Sequence, residues 1–440
     1  MLDNELIFMS QPGGAVRGKL RVPGDKSISH RAIMLGSIAE GVSEINGFLE
    51  GEDALATLQA FRAMGVQIEG PDNGRVKIQG VGLGGLKAPD APLYLGNSGT
   101  SMRLLAGLLA AQPFNLTLSG DASLSKRPMN RVVEPLRQMG AVIESAANGR
   151  PPLHIKGGQK LRGLDYRLPM ASAQVKSCLL LAGLYAEGTT CVTEPAPTRD
   201  HSERMLRGLG WPLEVQGRQI RLQGGHRLRG SAIDIAADIS SAAFFMVAAS
   251  IADGSDVLLE QVGINPTRDG VIRILRLMGA DITLENPREL CGEPVADIRV
   301  RSAKLHGIDI PEELVPLAID EFPVLFIAAA CASGCTVLRG AAELRVKESD
   351  RIQVMADGLK TLGVSATPTE DGMHIEGGTI GGGEVWAHGD HRIAMSFAVA
   401  ALRASRPIRI HDCANVATSF PGFVDLAQQA GMRIEVEGNL

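Results

Sequence analysis

The sequence predicts an α/β protein assembled from six copies of one unit, each about 70 residues of β-α-β-α with an extra strand. Two recurring phrases carry this reading. The first is a Leu/Arg-rich helix end, then Gly, then a β-rich run. Its marker glycines are Gly65, Gly140, Gly210, Gly279, Gly363 and Gly431, spaced 68 to 84 residues apart. The second phrase is an apolar helix, a turn of small or polar residues and another β-rich run, and it appears once ahead of each marker. A single Leu-x-x-Gly is no more than an ordinary helix end. Six at near-even spacing, each paired with the second phrase, make a repeat.

Taken in chain order, the apolar helices read SHRAIMLGSIA, SMRLLAGLLAA, AQVKSCLLLAG, SSAAFFMVAAS, FPVLFIAAACA and HRIAMSFAVAA. Several are apolar nearly all round, which marks them as buried. The second helices end in FRAMG, LRQMG, LRGLG, LRLMG, LKTLG and AQQAG; they carry charges and are more amphipathic. Gly just past each end is the residue expected where the chain turns into the left-handed region.

Composition sets the limits. A chain of 440 residues suggests two or three domains. It is 45% hydrophobic but only 4% aromatic, so its core must be built from Ala, Leu, Val, Ile, Met and Gly, which lets helices approach closely. With 44 Lys and Arg against 49 Asp and Glu, the formal charge of −5 argues against a nucleic-acid or anionic-membrane surface, though not against a local basic cleft. The longest apolar stretches, residues 242–252 and 324–332, fall short of the roughly 18 residues a membrane span needs, and no signal peptide is evident. A soluble cytoplasmic protein is expected. Six scattered cysteines form no CxxC pair or metal-ligand cluster and are expected to be reduced core thiols. GxGxxG is absent. GGAVRGKL at residues 13–20 mimics a P-loop, but Leu20 stands where Ser or Thr should hold magnesium.

The starts of the apolar helices are chemically unusual. They read GDKSISHR, GNSGTSMR, MASAQVKS, ADISSAA, AIDEFP and HGDHRIAM. Ser, Asn, Asp and Gly are ordinary N-caps, and for any one start capping is explanation enough. Four of the six also carry cations, namely Lys26 with Arg31, Arg103, Lys176 and Arg392. Cations there oppose the helix dipole, and a bound anion relieves the conflict. The linkers into the second helices add Arg127, Arg199, Arg268, Lys347 and Arg351. Each alone is more often a solvated charge. If equivalent points of six repeats face one place, they imply a site for phosphate or carboxylate groups. Asp320 and Glu348 are then acids among cations, suited to capping or to proton transfer.

The phrases PGDKSISHRA, LGNSGTSMRL, SKRPMN, MASAQVKS, TRDHSE, IDEFPVL, LRVKESDR and DHRIAMSF together resemble the enolpyruvyl transferase family along almost the whole chain, in its branch acting on shikimate 3-phosphate. The resemblance implies a two-domain inside-out α/β barrel. Each domain has three β-α-β-α-β-β units with buried helices and outer sheets. Residues 1–24 and 237–440 would form one domain and 25–236 the other, with the active site in the cleft between them. It implies transfer of a carboxyvinyl group from phosphoenolpyruvate to the 5-hydroxyl of shikimate 3-phosphate, with no metal or organic cofactor, no nucleic-acid or membrane partner, and a monomer. Matched residue by residue, Lys26, Ser27, Arg31, Ser172, Gln174, Arg199, Asp320 and Lys347 would hold shikimate 3-phosphate. Lys26, Asn97, Gly99, Thr100, Arg127, Gln174, Arg351 and Arg392 would hold phosphoenolpyruvate. Asp320, Glu348 and Lys26 would be catalytic.

Three positions depart from family patterns. Ala173 stands where the enterobacterial pattern has a second Ser. Arg199 lies in a loop where other members have a Tyr nearby, and Thr418 replaces a common phosphate-binding Lys. Gly99 lacks the methyl linked to glyphosate tolerance, which implies glyphosate as an inhibitor. The sister enzymes using UDP-N-acetylglucosamine usually have Asn after the early Lys and a reactive Cys in the loop after the Asn-x-Gly-Thr helix. Here Ser27 follows Lys26, and residues 118–131 contain no Cys. RNA 3′-phosphate cyclases share the repeat unit but need a nucleotide site, which is not evident. A non-catalytic anion-binding module would have no need of both Asp320 and Glu348.

Overall fold

The computed structural model describes residues 6–438. It is a mixed α/β fold. Among the described residues its α-helices are α1 (Lys26–Ile38), α2 (Glu52–Ala63), α3 (Gly99–Leu109), α4 (Asn130–Gln138), α5 (Ala173–Gly183), α6 (His201–Gly208), α7 (Ile239–Ile251), α8 (Gly270–Leu277), α9 (Phe322–Cys331), α10 (Arg351–Thr361), α11 (His391–Ala400) and α12 (Phe423–Gln429). Odd-numbered helices are the first, apolar helix of each repeat, and even-numbered helices the second. Contacts divide the chain into two compact units. The first contains the residues up to Pro23, Ala236–Glu289 and those from Pro294 onward; the second is Gly24–Ile235 with Leu290–Glu293.

In the first unit, α7, α9 and α11 pack together, and all thirteen residues of α7 are buried. In the second, α1, α3 and α5 play that part, with α3 and α5 in the closest contact. That closeness depends on glycine: a Cβ on Gly107 of α3 would fall on the carbonyl of Cys178 in α5. The even helices bury one face only. In α8, for example, Val271, Ile272, Ile274 and Leu275 point inward. Each unit has its own continuous apolar core.

Each unit also holds three sheets, and five of the six follow one plan; the sheet of Cys335–Leu338 has three strands, with isolated parallel bridges in place of the edge strand. The strand after an odd helix accepts a parallel edge strand on one side. On the other it pairs antiparallel with the last strand of a hairpin that follows the even helix. Thus Leu116–Ser119 pairs parallel with Leu93–Tyr94 and antiparallel with Arg150–Lys156. Three repeats borrow strands from far along the chain. Arg17–Leu20 supplies the parallel edge beside Asp256–Gly263. Ala232–Asp234 supplies the parallel edge beside Glu40–Asn46. Ile7–Ser10 lies between Ile408–His411 and Ile434–Glu437, completing the sixth repeat's sheet.

The six marker glycines all adopt positive φ, from 84° to 106°. In each, the glycine N–H donates to the carbonyl three residues back and the next N–H to the carbonyl five back. This is the Schellman closure expected of a glycine-capped helix. The Arg of the phrase makes a second tie. Arg62, Arg137, Arg207 and Arg276 donate to the carbonyls of Ile68, Ile143, Leu213 and Ile282, six residues on. Gln428 does the same to Ile434 at 2.6 Å. The side chain thereby fastens the helix end to the strand that follows.

The cysteine expectation needs correcting. All six are free, but Cys331 is half-buried and Cys291 and Cys335 are exposed, because Cys291 lies at a hairpin turn and Cys335 on the outward side of a strand's first residue. No helix among the described residues is long and apolar enough to cross a membrane.

Candidate active site

In the second unit, candidate residues gather at the starts of α1, α3 and α5. Asp25 caps α1 by accepting the Ile28 N–H at 2.9 Å. Lys26, in the first turn, is half-buried and pairs with Asp53. One turn on, Arg31 is only 4% exposed. Its Nε donates to the Ser202 hydroxyl at 2.7 Å, Nη2 to the Ser177 hydroxyl at 2.8 Å and Nη1 to the Ser27 carbonyl at 2.9 Å. Burial pulls the pKa of the guanidinium down to about 10, with Glu203 and Asp25 opposing, so it stays charged at neutral pH.

At α3, Ser98 caps the helix and its hydroxyl accepts the Ser101 N–H at 3.1 Å. Asn97 lies just before the cap, donates to Asp121 at 2.8 Å and accepts from Arg127. The Gln174 amide bridges helices, donating to the Thr100 hydroxyl at 3.0 Å and accepting from Arg103. Gly99 sits under these cations: a Cβ there would be 3.0 Å from an Arg103 nitrogen and 3.2 Å from an Arg127 nitrogen. Ser172 caps α5, accepting from the Val175 N–H at 3.4 Å, with Ala173 next in the chain. Arg199 is half-buried in the loop before α6 and close enough to Arg31 to lower its pKa.

In the first unit, the candidates gather around one guanidinium. Arg351 is 1% exposed and begins α10. Its Nε donates to Asp390 at 2.8 Å, Nη2 to Glu348 at 2.7 Å and Nη1 to Asp320 at 3.4 Å. Burial works against its charge, but Asp390, Glu348 and Asp320 outweigh it and raise its pKa above the ordinary value. Lys347 is a second cation on Asp320, at 3.3 Å, and also reaches Glu343 at 3.0 Å. Asp390 caps α11, accepting the Arg392 N–H at 3.0 Å, and the Arg392 side chain is half-buried. Asp320 and Glu348 themselves are 15% and 26% exposed, so both can be reached from outside.

Two of the cations read from helix starts and linkers are otherwise engaged. Lys176 is 1% exposed and paired with Glu203 at 2.7 Å and Glu194 at 3.1 Å. Burial raises the pKa of Glu194, with Lys176 opposing. Arg268 is 4% exposed and lies 3.3 Å from Asp238 and 3.6 Å from Glu321. Both cations balance buried acids distant in sequence, which no local phrase announces. Thr418 is buried and donates to the Asn415 carbonyl at 2.7 Å, while the Asn415 amide donates to the Gly389 carbonyl at 2.6 Å. This late loop thus grips the turn just before Asp390.

Sequence reasoning missed Ser177, Ser202, Asp121 and Asp390 as partners of site residues. Of these, only Asp390 carried a signal, as the cap of DHRIAM. Among the described residues no group of three His, Cys, Asp or Glu side chains is placed to hold a metal ion.

The chain is similar to known proteins along nearly its whole length. The family model described as EPSP synthase (3-phosphoshikimate 1-carboxyvinyltransferase) matches residues 10–426. A 3-phosphoshikimate 1-carboxyvinyltransferase from Alkalilimnicola ehrlichii is 70% identical over 428 residues, covering 97% of this chain and 96% of that one. The solved structure of an EPSP synthase from Acinetobacter baumannii superposes with a TM-score of 0.89 at 62% identity, covering 98% of this chain and 99% of that one. The enolpyruvyl transferase NikO from Streptomyces tendae shares the fold, with a TM-score of 0.80 at 16% identity over 99% of this chain and 100% of that one.

Proposed function

We propose how this chain, which belongs to the EPSP synthase (3-phosphoshikimate 1-carboxyvinyltransferase) family, divides its reaction among its residues: the second unit's helix starts grip anions, and the first unit's acids move protons. The enzyme transfers the carboxyvinyl group of phosphoenolpyruvate to the 5-hydroxyl of shikimate 3-phosphate and releases phosphate, in the shikimate pathway to aromatic amino acids. The observation that carries the residue assignment is the cluster on Arg351. Two reachable carboxylates, Asp320 and Glu348, share one buried cation, which holds them side by side and ionisable.

In this reading, Lys26, Ser27, Arg31, Ser172, Gln174, Arg199, Asp320 and Lys347 hold shikimate 3-phosphate. Lys26, Asn97, Gly99, Thr100, Arg127, Gln174, Arg351 and Arg392 hold phosphoenolpyruvate. The 5-hydroxyl oxygen attacks C2 of the enol phosphate while its proton passes to Asp320. C3 takes a proton from Glu348, assisted by Lys26, and a tetrahedral adduct forms. C3 then returns a proton, the C2–O bond to phosphorus-bearing oxygen breaks, and inorganic phosphate leaves toward the guanidinium groups, which stabilise its charge.

The same reading makes each unit one domain of an inside-out α/β barrel. Three buried helices and three sheets in each unit support it. It further takes the enzyme as a cytoplasmic monomer. Gly99 leaves room that a methyl would fill beside Arg103 and Arg127, so glyphosate should enter the phosphoenolpyruvate pocket. An inhibition constant in the millimolar range would refute that. The decisive assay is phosphate release from phosphoenolpyruvate with and without shikimate 3-phosphate. Release only with both, lost in Arg127→Ala, supports the assignment. Near-normal turnover in that variant removes Arg127 from it.

A further inference from the structure

We propose that Lys176 and Glu203 are a buried positioning pair that sets the grip of Arg31 and the path of the Arg199 segment. The proposal rests on the assignment of Arg31 and Arg199 to shikimate 3-phosphate above. At 1% exposure the Lys176 ammonium is out of reach of a ligand, so any effect on binding must pass through its neighbours.

Those neighbours are unusually placed. Ser177 follows Lys176 on α5, and Ser202 precedes Glu203 on α6. The two hydroxyls hydrogen-bond each other at 2.8 Å and both accept from Arg31, Ser202 from Nε and Ser177 from Nη2. One adjacent pair of residues from each helix therefore supplies one hydroxyl to Arg31 and one charge to the other helix. The Lys176–Glu203 bridge at 2.7 Å fixes the spacing of α5 and α6 at the level where the hydroxyls close on the guanidinium. If the helices separate there, Arg31 cannot keep both bonds at once.

The remaining donors of Lys176 extend the device. One reaches Glu194 at 3.1 Å, at the end of the strand Thr189–Thr193. Another reaches the Thr198 carbonyl at 3.4 Å, next to Arg199, and the Thr198 hydroxyl donates to Glu194. The segment from Glu194 to Glu203 is thus pinned at both ends and beside Arg199 by one ammonium. Buried ion pairs are poor sources of stability, because desolvation offsets their attraction, and apolar packing would hold two helices as well. What an ion pair adds is a fixed geometry, here in the residues that border Arg31.

The test compares Lys176→Met, Glu203→Gln and Arg31→Met in the full chain, each checked for folding by thermal melting. Misplacing a binding group by about an ångström costs on the order of a hundred-fold. The KM for shikimate 3-phosphate should therefore rise about ten- to a hundred-fold in Lys176→Met, while the KM for phosphoenolpyruvate stays within about two-fold. A merely structural role would lower the melting temperature without splitting the two constants, and that result overturns the proposal. If Lys176→Met does not fold, Glu203→Gln, which leaves Lys176 paired with Glu194, decides by the same split. An unchanged shikimate 3-phosphate KM in Lys176→Met or Glu203→Gln alongside a raised one in Arg31→Met sinks the positioning pair alone. No change in Arg31→Met sinks the underlying assignment with it.

Discussion

The helix starts of the second unit are dressed with hydroxyls, amides and cations, whereas those of the first unit gather carboxylates around a buried guanidinium. Arg31 is gripped by two serines and a carbonyl, all neutral. Arg351, also buried, is gripped by Asp320, Glu348 and Asp390, all acidic. In the first arrangement the direct partners of the guanidinium are neutral, and Glu203 and Asp25 act on it from farther off. In the second, three carboxylates converge on one guanidinium, and Lys347 adds a second cation on Asp320. One repeat unit, copied six times, thus carries two different electrostatic settings. Each unit also devotes a cation to internal order, Lys176 in one and Arg268 in the other.

The sharpest way to break this contrast is at Asp320. Asp320→Ala should cut kcat by about a hundred- to ten-thousand-fold, the range of a lost general base, with the protein still folded. A rise in shikimate 3-phosphate KM at normal kcat would leave Asp320 a binding group alone and remove it from proton transfer. Next is Arg268→Met, which strands Asp238 and Glu321 in the interior and should destabilise by about 3–5 kcal/mol, read by denaturant unfolding. A raised phosphoenolpyruvate KM at unchanged stability would return Arg268 to the substrate site. The smallest effect tests what the units share. Gly65→Ala forces a side chain into the left-handed region and onto Lys87, 2.9 Å away, at a cost of about 1–2 kcal/mol. No loss in the unfolding midpoint would mean the cap is not under strain.

The repeat was legible because its punctuation is local. A left-handed helix cap demands Gly whatever surrounds it, so six glycines mark six helix ends in the bare sequence. The buried helices were legible for a similar reason, since α7 and α9 lack a polar face altogether. The strand partners were less so: nothing in IFMS says that it belongs beside residues 408–411 and 434–437. At the site, residues that cap helices or sit beside caps could be proposed from sequence, Asp25 and Asn97 among them. The destination of a cation could not. Lys176 and Lys26 occupy similar helix starts, yet only Lys176 is enclosed, because Glu194 and Glu203 arrive from a strand and a helix later in the chain. Charge pairing across tertiary contacts leaves no local phrase to read.

The borrowed strand Ile7–Ser10 bears on how the protein is made. All three sheets of the second unit use residues between Glu40 and Asp234, so that unit has every strand it needs before the later repeats are synthesised. The strand Ile7–Ser10 leaves the ribosome before the second unit, yet its partners, Ile408–His411 and Ile434–Glu437, leave after it. Until then its hydrogen-bonding edges have no sheet to join, and such edges invite wrong partners. Vectorial synthesis therefore favours early completion of the anion-gripping unit and makes closure of the acid-bearing unit a late, long-range event.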